Sequence, residues 1–328
     1  MKKPKVAIIF TGGTISMTID EKIGAAIPSL SGNQILSMVT NIDKLADIET
    51  IEYCEIPGPH VNFDMLFEIK NMVLELAERE DISGIIITHG TDTLEETAYF
   101  LDLALCIKKP VVVVGAMRNS SELGYDGSSN LAAAVCTAIS PNAVGKGVLV
   151  VLNNEVNTAR EVTKTNTMSL NTFQSSYGPI GIIDTNEFII HRNITVRDFI
   201  ETDKIEKNVV LIKSCMDMGT DILDFFIDKG SRGIVIEAMG RGNLPPDLVP
   251  SIKRAISKNI AVVIVSRCHS GRVMSSYGYP GGGKNLRDLG VIFGGELSGE
   301  KARIKLMLAL GVTDDMSFIR DLFEKNYI

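Results

Sequence analysis

KVAIIFTGGTIS, residues Lys5 to Ser16, runs a short apolar segment straight into Thr-Gly-Gly-Thr. Val6 to Phe10 read as a buried strand, and the glycines beyond it let the backbone turn tightly and approach a ligand closely. Thr11 is thereby left at the mouth of a sheet. A second stretch of the same form, IIITHGTDTLEET at Ile85 to Thr97, ends on Thr91 between Gly90 and Asp92. Two strand ends with matched chemistry suggest one site. Taken alone, TGGT also reads as nothing more than a tight turn.

Outward from these stretches, short β-branched runs alternate with longer segments of 3.6-residue apolar period. Strands are expected at Val6 to Phe10, Ile48 to Glu55, Gly84 to Thr88, Val111 to Gly115 and Gly147 to Asn153. The clearest helix is Asn62 to Glu80, with Phe63, Leu66, Ile69, Val73, Leu76 and Ala77 on one stripe and Asn62 as cap. The alternation predicts βαβ units and an α/β fold, with a larger N-terminal, mostly parallel, doubly wound sheet. Asp184 to Lys207 is polar and charged and reads as a linker. Beyond it, strands at Val209 to Lys213, Gly233 to Glu237 and Ala261 to Ser266 alternate with helices near Asp221 to Lys229 and Leu248 to Lys258. Helices at Glu300 to Leu310 and Ser317 to Tyr327 close this smaller C-terminal α/β domain. The expected division is an N-terminal catalytic domain over 1–190, a linker over 191–207 and a C-terminal domain over 208–328.

The 328 residues, 45% hydrophobic and 22% charged, suit an ordinary globular protein of two domains. A net charge of -7 without any clustered basic face argues against nucleic acid as a partner. The apolar run after MKKPK is too short for a signal-peptide core or a membrane span, so a cytoplasmic protein without a membrane partner is expected. Cys54, Cys106, Cys136, Cys215 and Cys268 form no CxxC pair and mostly lie in apolar patterns, which reads as buried reduced thiols. The four histidines show neither HxxxH nor HxH spacing, so no metal and no cofactor are expected.

In an open parallel sheet, ligands bind beyond the carboxyl ends of the strands, where Thr11 and Thr91 fall. TGGT lacks both GxGxxG and GxxxxGK[ST], and GGGK at Gly281 to Lys284 fails the same test, so neither dinucleotide nor nucleoside triphosphate is indicated. In HGTDTLEET, Asp92 and Thr91 precede a helix expected over Leu94 to Ile107. Thr91, Asp92 or Thr93 could simply cap that helix, with Glu95 and Glu96 set against its dipole. Capping does not account for two threonines around one acid. A threonine hydroxyl needs a base or cation nearby to become a nucleophile. Lys164, among Thr163, Thr165 and Thr167 in REVTKTNT, is the candidate, although a single loop lysine is usually solvated.

TGGTIS, HGTDTLEETAYFLDL, GAMRNSSELGYDGSSNL and REVTKTNT, in this order and at these separations, resemble the bacterial-type L-asparaginases and glutaminase-asparaginases. The likeness runs on through GRGNLPP and KARIKLMLAL. It implies hydrolysis of a side-chain amide to acid and ammonia, and a homo-oligomer, a dimer or a tetramer built from two close dimers. By position, Thr11 would be the nucleophile that forms an acyl-enzyme. Thr91, polarised by Lys164, would relay a proton or place water, and Asp92 would bind the substrate α-ammonium. Gly58, Pro59, His60, Gly90, Asn243 and Tyr277 join Asp92 as the implied substrate-binding residues. Which threonine attacks first stays open.

Departures from the family pattern bear on the substrate. The segment that usually holds the α-carboxylate with side-chain donors reads EIPGPHVNFD, and neither Gly58 nor Pro59 has a side-chain donor. His60 could substitute, or could have no role. Met17 to Leu30 lacks the aromatic residue that usually closes over the nucleophile, so another residue must orient Thr11. SYGYPGGGK offers Tyr277 or Tyr279 where the family donates an acid. L-Asparagine is therefore the expected substrate, with another small amide or lactam, or a non-catalytic metabolite-binding role, as alternatives.

Overall fold

The computed structural model describes residues 3–325. Its N-terminal unit is organised by the Lys5–Gly12 strand, which pairs in parallel with Asp47–Ile56 on one side and Ile82–Thr88 on the other. Val111–Val114 and Val148–Leu152 extend the parallel series. Val6 to Ile9 and Ile85 to Ile87 are fully buried, as continuous apolar runs must be when helices cover both faces. Counted along the chain, these five strands lie in the order 2-1-3-4-5. The order therefore reverses between the first and third strands, and a ligand crevice is expected outside their carboxyl ends. Thr11 ends the first strand, and Thr88-His89-Gly90-Thr91 leave the third.

Three antiparallel strands, Glu155–Thr158, Gly181–Asp184 and Glu187–Ile190, complete an eight-stranded sheet. The expected linker from Asp184 onward needs correcting, because the chain returns as the Glu187–Ile190 strand. Thr185 and Asn186 turn the hairpin with φ of 47° and 65°. Asn153 and Asn154 do the same between Leu152 and Glu155, with φ of 53° and 60°. Both are two-residue turns with positive φ at each central position, which suit the twist of a hairpin but lack its usual Gly signal.

The Phe63–Glu78 helix buries Leu66, Ile69, Val73 and Leu76, and Asn62 Oδ1 accepts the Met65 N–H at 3.1 Å. The helix after Thr91 runs over Leu94–Ala104, shorter than expected, because Leu105 turns extended. Beyond the last strand of the sheet, Arg197 pairs with Asp102 and Arg160 with Asp198, so the chain keeps packing on this unit. The compact units divide between Phe199 and Ile200.

The C-terminal unit holds a four-stranded parallel sheet, Val209–Lys213, Gly233–Ala238, Ala261–Ser266 and Ile292–Phe293, in chain order. The last strand, two residues long, leaves no periodic signal in the sequence. The helices Asp221–Asp228, Val249–Ser257, Gly283–Leu289, Gly299–Val312 and Met316–Glu324 accompany it. The end of the expected final helix, at Tyr327, lies outside the described residues. Among the described residues no helix is long and apolar enough to cross a membrane.

The thiols correct a second expectation. All five cysteines are free, but Cys136 alone is buried; Cys54 is half-buried and Cys106, Cys215 and Cys268 are exposed. Cys215 and Cys268 sit just past the carboxyl ends of their strands, where an apolar run has already given way to a loop.

Candidate active site

Thr11 is 2% exposed, and two reciprocal bonds tie it to the neighbouring strand end. Its Oγ1 donates to the Thr88 carbonyl at 2.6 Å, and its N–H donates to Thr88 Oγ1 at 3.2 Å. The Cys54 thiol donates to the Thr11 carbonyl at 3.3 Å. Burial pushes that thiol up to about 11, so it stays protonated and keeps its donor. Thr88 and Cys54 thus orient Thr11, a task for which the sequence offered no candidate. Both belong to runs that read only as strand interior.

Three loops meet here backbone to backbone. Gly13 has φ of +81°, and a Cβ on it would stand 2.3 Å from Gly90 N. One on Gly90 would stand 2.6 Å from Gly58 N. Real side chains never approach so closely, so glycine is required for the loops around residues 13, 58 and 90 to touch.

Lys164 ends the short Val162–Lys164 strand, which pairs antiparallel with Phe173–Ser175. Its backbone N–H donates to Glu95 Oε1 at 3.0 Å, anchoring it to the helix that follows Thr91. Nζ then donates to Thr91 Oγ1 at 3.1 Å and to Asp92 Oδ1 at 2.7 Å. The lysine side chain is 16% exposed, whereas that of Asp92 is 64% exposed. This is not a solvated loop lysine. Its Nζ bonds a buried hydroxyl while the neighbouring carboxylate is largely exposed.

The capping alternative also needs correcting: among the described residues, Thr93 in the N-cap position makes no side-chain capping bond to the Leu94–Ala104 helix. Thr93, in the cap position, donates its hydroxyl to the Gly58 carbonyl at 2.8 Å, tying the 58–60 turn to the Thr91 loop. His89 is fully buried, its Nδ1 2.8 Å from the Gly90 carbonyl and its Nε2 2.9 Å from Thr97 Oγ1. Burial lowers its imidazole to about 4.

Gly58–His60 forms a single 3-10 turn in which His60 N–H donates to Pro57 O at 3.0 Å, while Pro59 and His60 are exposed. Residues Met17–Asp20 and Ala25–Pro28 form a hairpin without any aromatic side chain. An aromatic hydroxyl reaches its base from elsewhere, Tyr125 donating to Ile15 O at 2.7 Å. Ser121 Oγ accepts the Ile19 N–H at 3.1 Å. Tyr125 stands in the GAMRNSSELGYDG stretch, whose spacing gave no hint of this reach. The site therefore gathers Thr91, Asp92 and Lys164 into one cluster and brings Gly58 and Gly90 into contact. The Thr11 hydroxyl is bonded to Thr88 and not to Lys164.

Asn243 and Tyr277 belong to the C-terminal unit. The Asn243 backbone bridges to Met239, and its Oδ1 is buried without a hydrogen-bond partner. Tyr277 is exposed, its ring 5.6 Å from that of Tyr279. Among the described residues, no group of three or more His, Cys, Asp or Glu side chains is placed to hold a metal ion.

The asparaginase N-terminal family model matches residues 5–196, and the glutaminase/asparaginase C-terminal domain matches residues 208–323. The chain is 34% identical over 307 residues to an L-asparaginase of Bacillus licheniformis, covering 93% of this chain and 95% of that one. It is also 34% identical to one of the component chains of a glutamyl-tRNA(Gln) amidotransferase of Pyrococcus horikoshii, over 99% of this chain and 76% of that one. The solved probable cytoplasmic L-asparaginase from Campylobacter jejuni superposes with a TM-score of 0.88 at 31% identity, covering 98% of this chain and 99% of that one. Fold and likeness together define an enzyme that hydrolyses carbon–nitrogen bonds of small, asparagine-like amides. The chain belongs to the bacterial-type asparaginase family.

Proposed function

We propose that this enzyme hydrolyses the side-chain amide of L-asparagine to aspartate and ammonia, with Thr11 as nucleophile. The observation that carries the reading is Lys164 Nζ bonded at once to Thr91 Oγ1 and Asp92 Oδ1. Thr11 Oγ attacks the amide carbon, its proton passes through the Thr91–Lys164 pair to the leaving nitrogen, and ammonia departs as the ester forms. Water, deprotonated through the same pair, then splits the ester and frees Thr11. In the resting site the Thr11 proton rests on the Thr88 carbonyl, which is no base. Attack therefore requires the hydroxyl to leave that bond by rotating about χ1.

Asp92 receives the α-ammonium in this reading, Gly58, Pro59, His60 and Gly90 line the substrate, and the side-chain donor for its carboxylate is His60. Asn243 and Tyr277 are further substrate-binding residues in this reading, and the enzyme is a homotetramer. A cytoplasmic enzyme fits the name of the Campylobacter relative. A second reading takes glutamine or another amide, favoured by the Pyrococcus amidotransferase relatives and by the donor-poor 58–60 turn. The test is ammonia release from a panel of D- and L-asparagine, glutamine and simple amides, with Thr11→Ala as control. Thr11-dependent release from L-asparagine ahead of the others is expected. Release from another amide alone replaces the first reading with the second, and binding without turnover rejects both.

A further inference from the structure

His89 takes part in no step above, yet it is fully buried against the loop that carries Thr91. Its own N–H donates to Val114 O at 2.8 Å, so its main chain is fixed as a continuation of the sheet. The two ring contacts settle its tautomer. A carbonyl can only accept, so the proton facing Gly90 O is on Nδ1. The neutral ring then presents a lone pair at Nε2, to which the Thr97 hydroxyl donates. Burial, which disfavours the imidazolium, keeps the ring neutral.

The consequence falls on the next peptide. In a planar trans unit the Gly90 carbonyl and the Thr91 N–H point in opposite directions. Holding the carbonyl against the imidazole turns the Thr91 N–H away from the ring, and among the described residues no backbone or side-chain acceptor takes it. Gly13 packs on the preceding peptide, where a Cβ would lie 2.6 Å from His89 C and 2.3 Å from Gly90 N, so the chain leading into this unit is held on that side. We infer that His89, fixed as the Nδ1–H tautomer by the Gly90 carbonyl and held through Nε2 by Thr97, is a positioning residue that aims the Thr91 N–H and hydroxyl at the substrate carbonyl. The inference rests on the proposed amide hydrolysis at this site. A donor fixed in advance stabilises developing oxyanion charge without having to reorient.

The experiment compares His89→Leu, His89→Asn and Thr97→Val in ammonia release from L-asparagine, together with the ¹⁵N spectrum of the His89 ring. His89→Leu lowers kcat by about 100-fold with KM nearly unchanged, the size expected when one preorganised donor is lost. His89→Asn, whose side-chain N–H stands near the place of Nδ1, recovers kcat to within about tenfold of wild type. Thr97→Val, which touches no substrate, releases the Nε2 side of the ring and lowers kcat by about tenfold, while the proton stays on Nδ1 against Gly90 O. A folded His89→Leu enzyme with wild-type kcat overturns the inference, as does a wild-type ring protonated on Nε2. Should the His89 variants fail to fold, Thr97→Val and the wild-type spectrum still decide. A wild-type enzyme that hydrolyses no amide counts against the proposed function itself, whereas an active wild type with insensitive variants counts against His89 alone.

Discussion

In the proposed mechanism Lys164 joins chemistry to specificity, because one nitrogen bonds both a buried hydroxyl and an outward carboxylate. Lys164→Met keeps much of the side-chain volume and removes the donor. It should lower kcat by roughly 10² to 10⁴, the range of a lost proton-transfer group, in the same ammonia assay. Thr93→Val acts differently, since it frees the Gly58 carbonyl and loosens the 58–60 turn without touching Lys164. A loss of about 1 kcal/mol predicts a five- to tenfold rise in KM with little change in kcat. Thr11, Thr91 and Asp92 stood out as candidates because polar residues at glycine-marked strand ends break the apolar pattern, and Lys164 only through its coincidence with them. Thr88, His89 and Cys54 were not, because each sits inside a strand run, at its last position or just after it, and only tertiary contact reveals what its polar atom meets.

At the scale of elements, the parallel strands of four or more residues and helices such as Phe63–Glu78 could be read closely, since both kinds of burial leave regular apolar signals. The antiparallel hairpins could not. The strands they add to the large sheet are four residues long, and the turns there use Thr-Asn and Asn-Asn where a Gly would have announced them. The Phe63–Glu78 helix gives a direct check on the local reading. Asn62→Ala removes the acceptor for Met65 N–H and should cost about 1 kcal/mol, measured as a lowered midpoint in urea with unchanged slope.

Across the whole molecule, the buried neutral His89 links stability to pH. Its unfolded value of 6.5 falls to about 4 on folding, so the unfolded chain takes up the proton first as pH drops. Its contribution is fully present above 6.5 and is lost as pH falls toward 4, reaching about 3 kcal/mol. Carboxylates also titrate in this range, so the check is the difference between wild type and His89→Asn. Urea midpoints of the two should converge as pH falls from 7 to 4, and parallel curves would remove His89 from the account.

The glycine contacts among residues 13, 58 and 90 carry a consequence for how such an enzyme can change. A pocket walled by side chains can be recut one residue at a time, but a junction of bare main chains has no part that can be exchanged. In the proposed enzyme, change of substrate choice is therefore channelled to exposed side chains such as Pro59 and His60, while the glycine junction beside them is inherited whole.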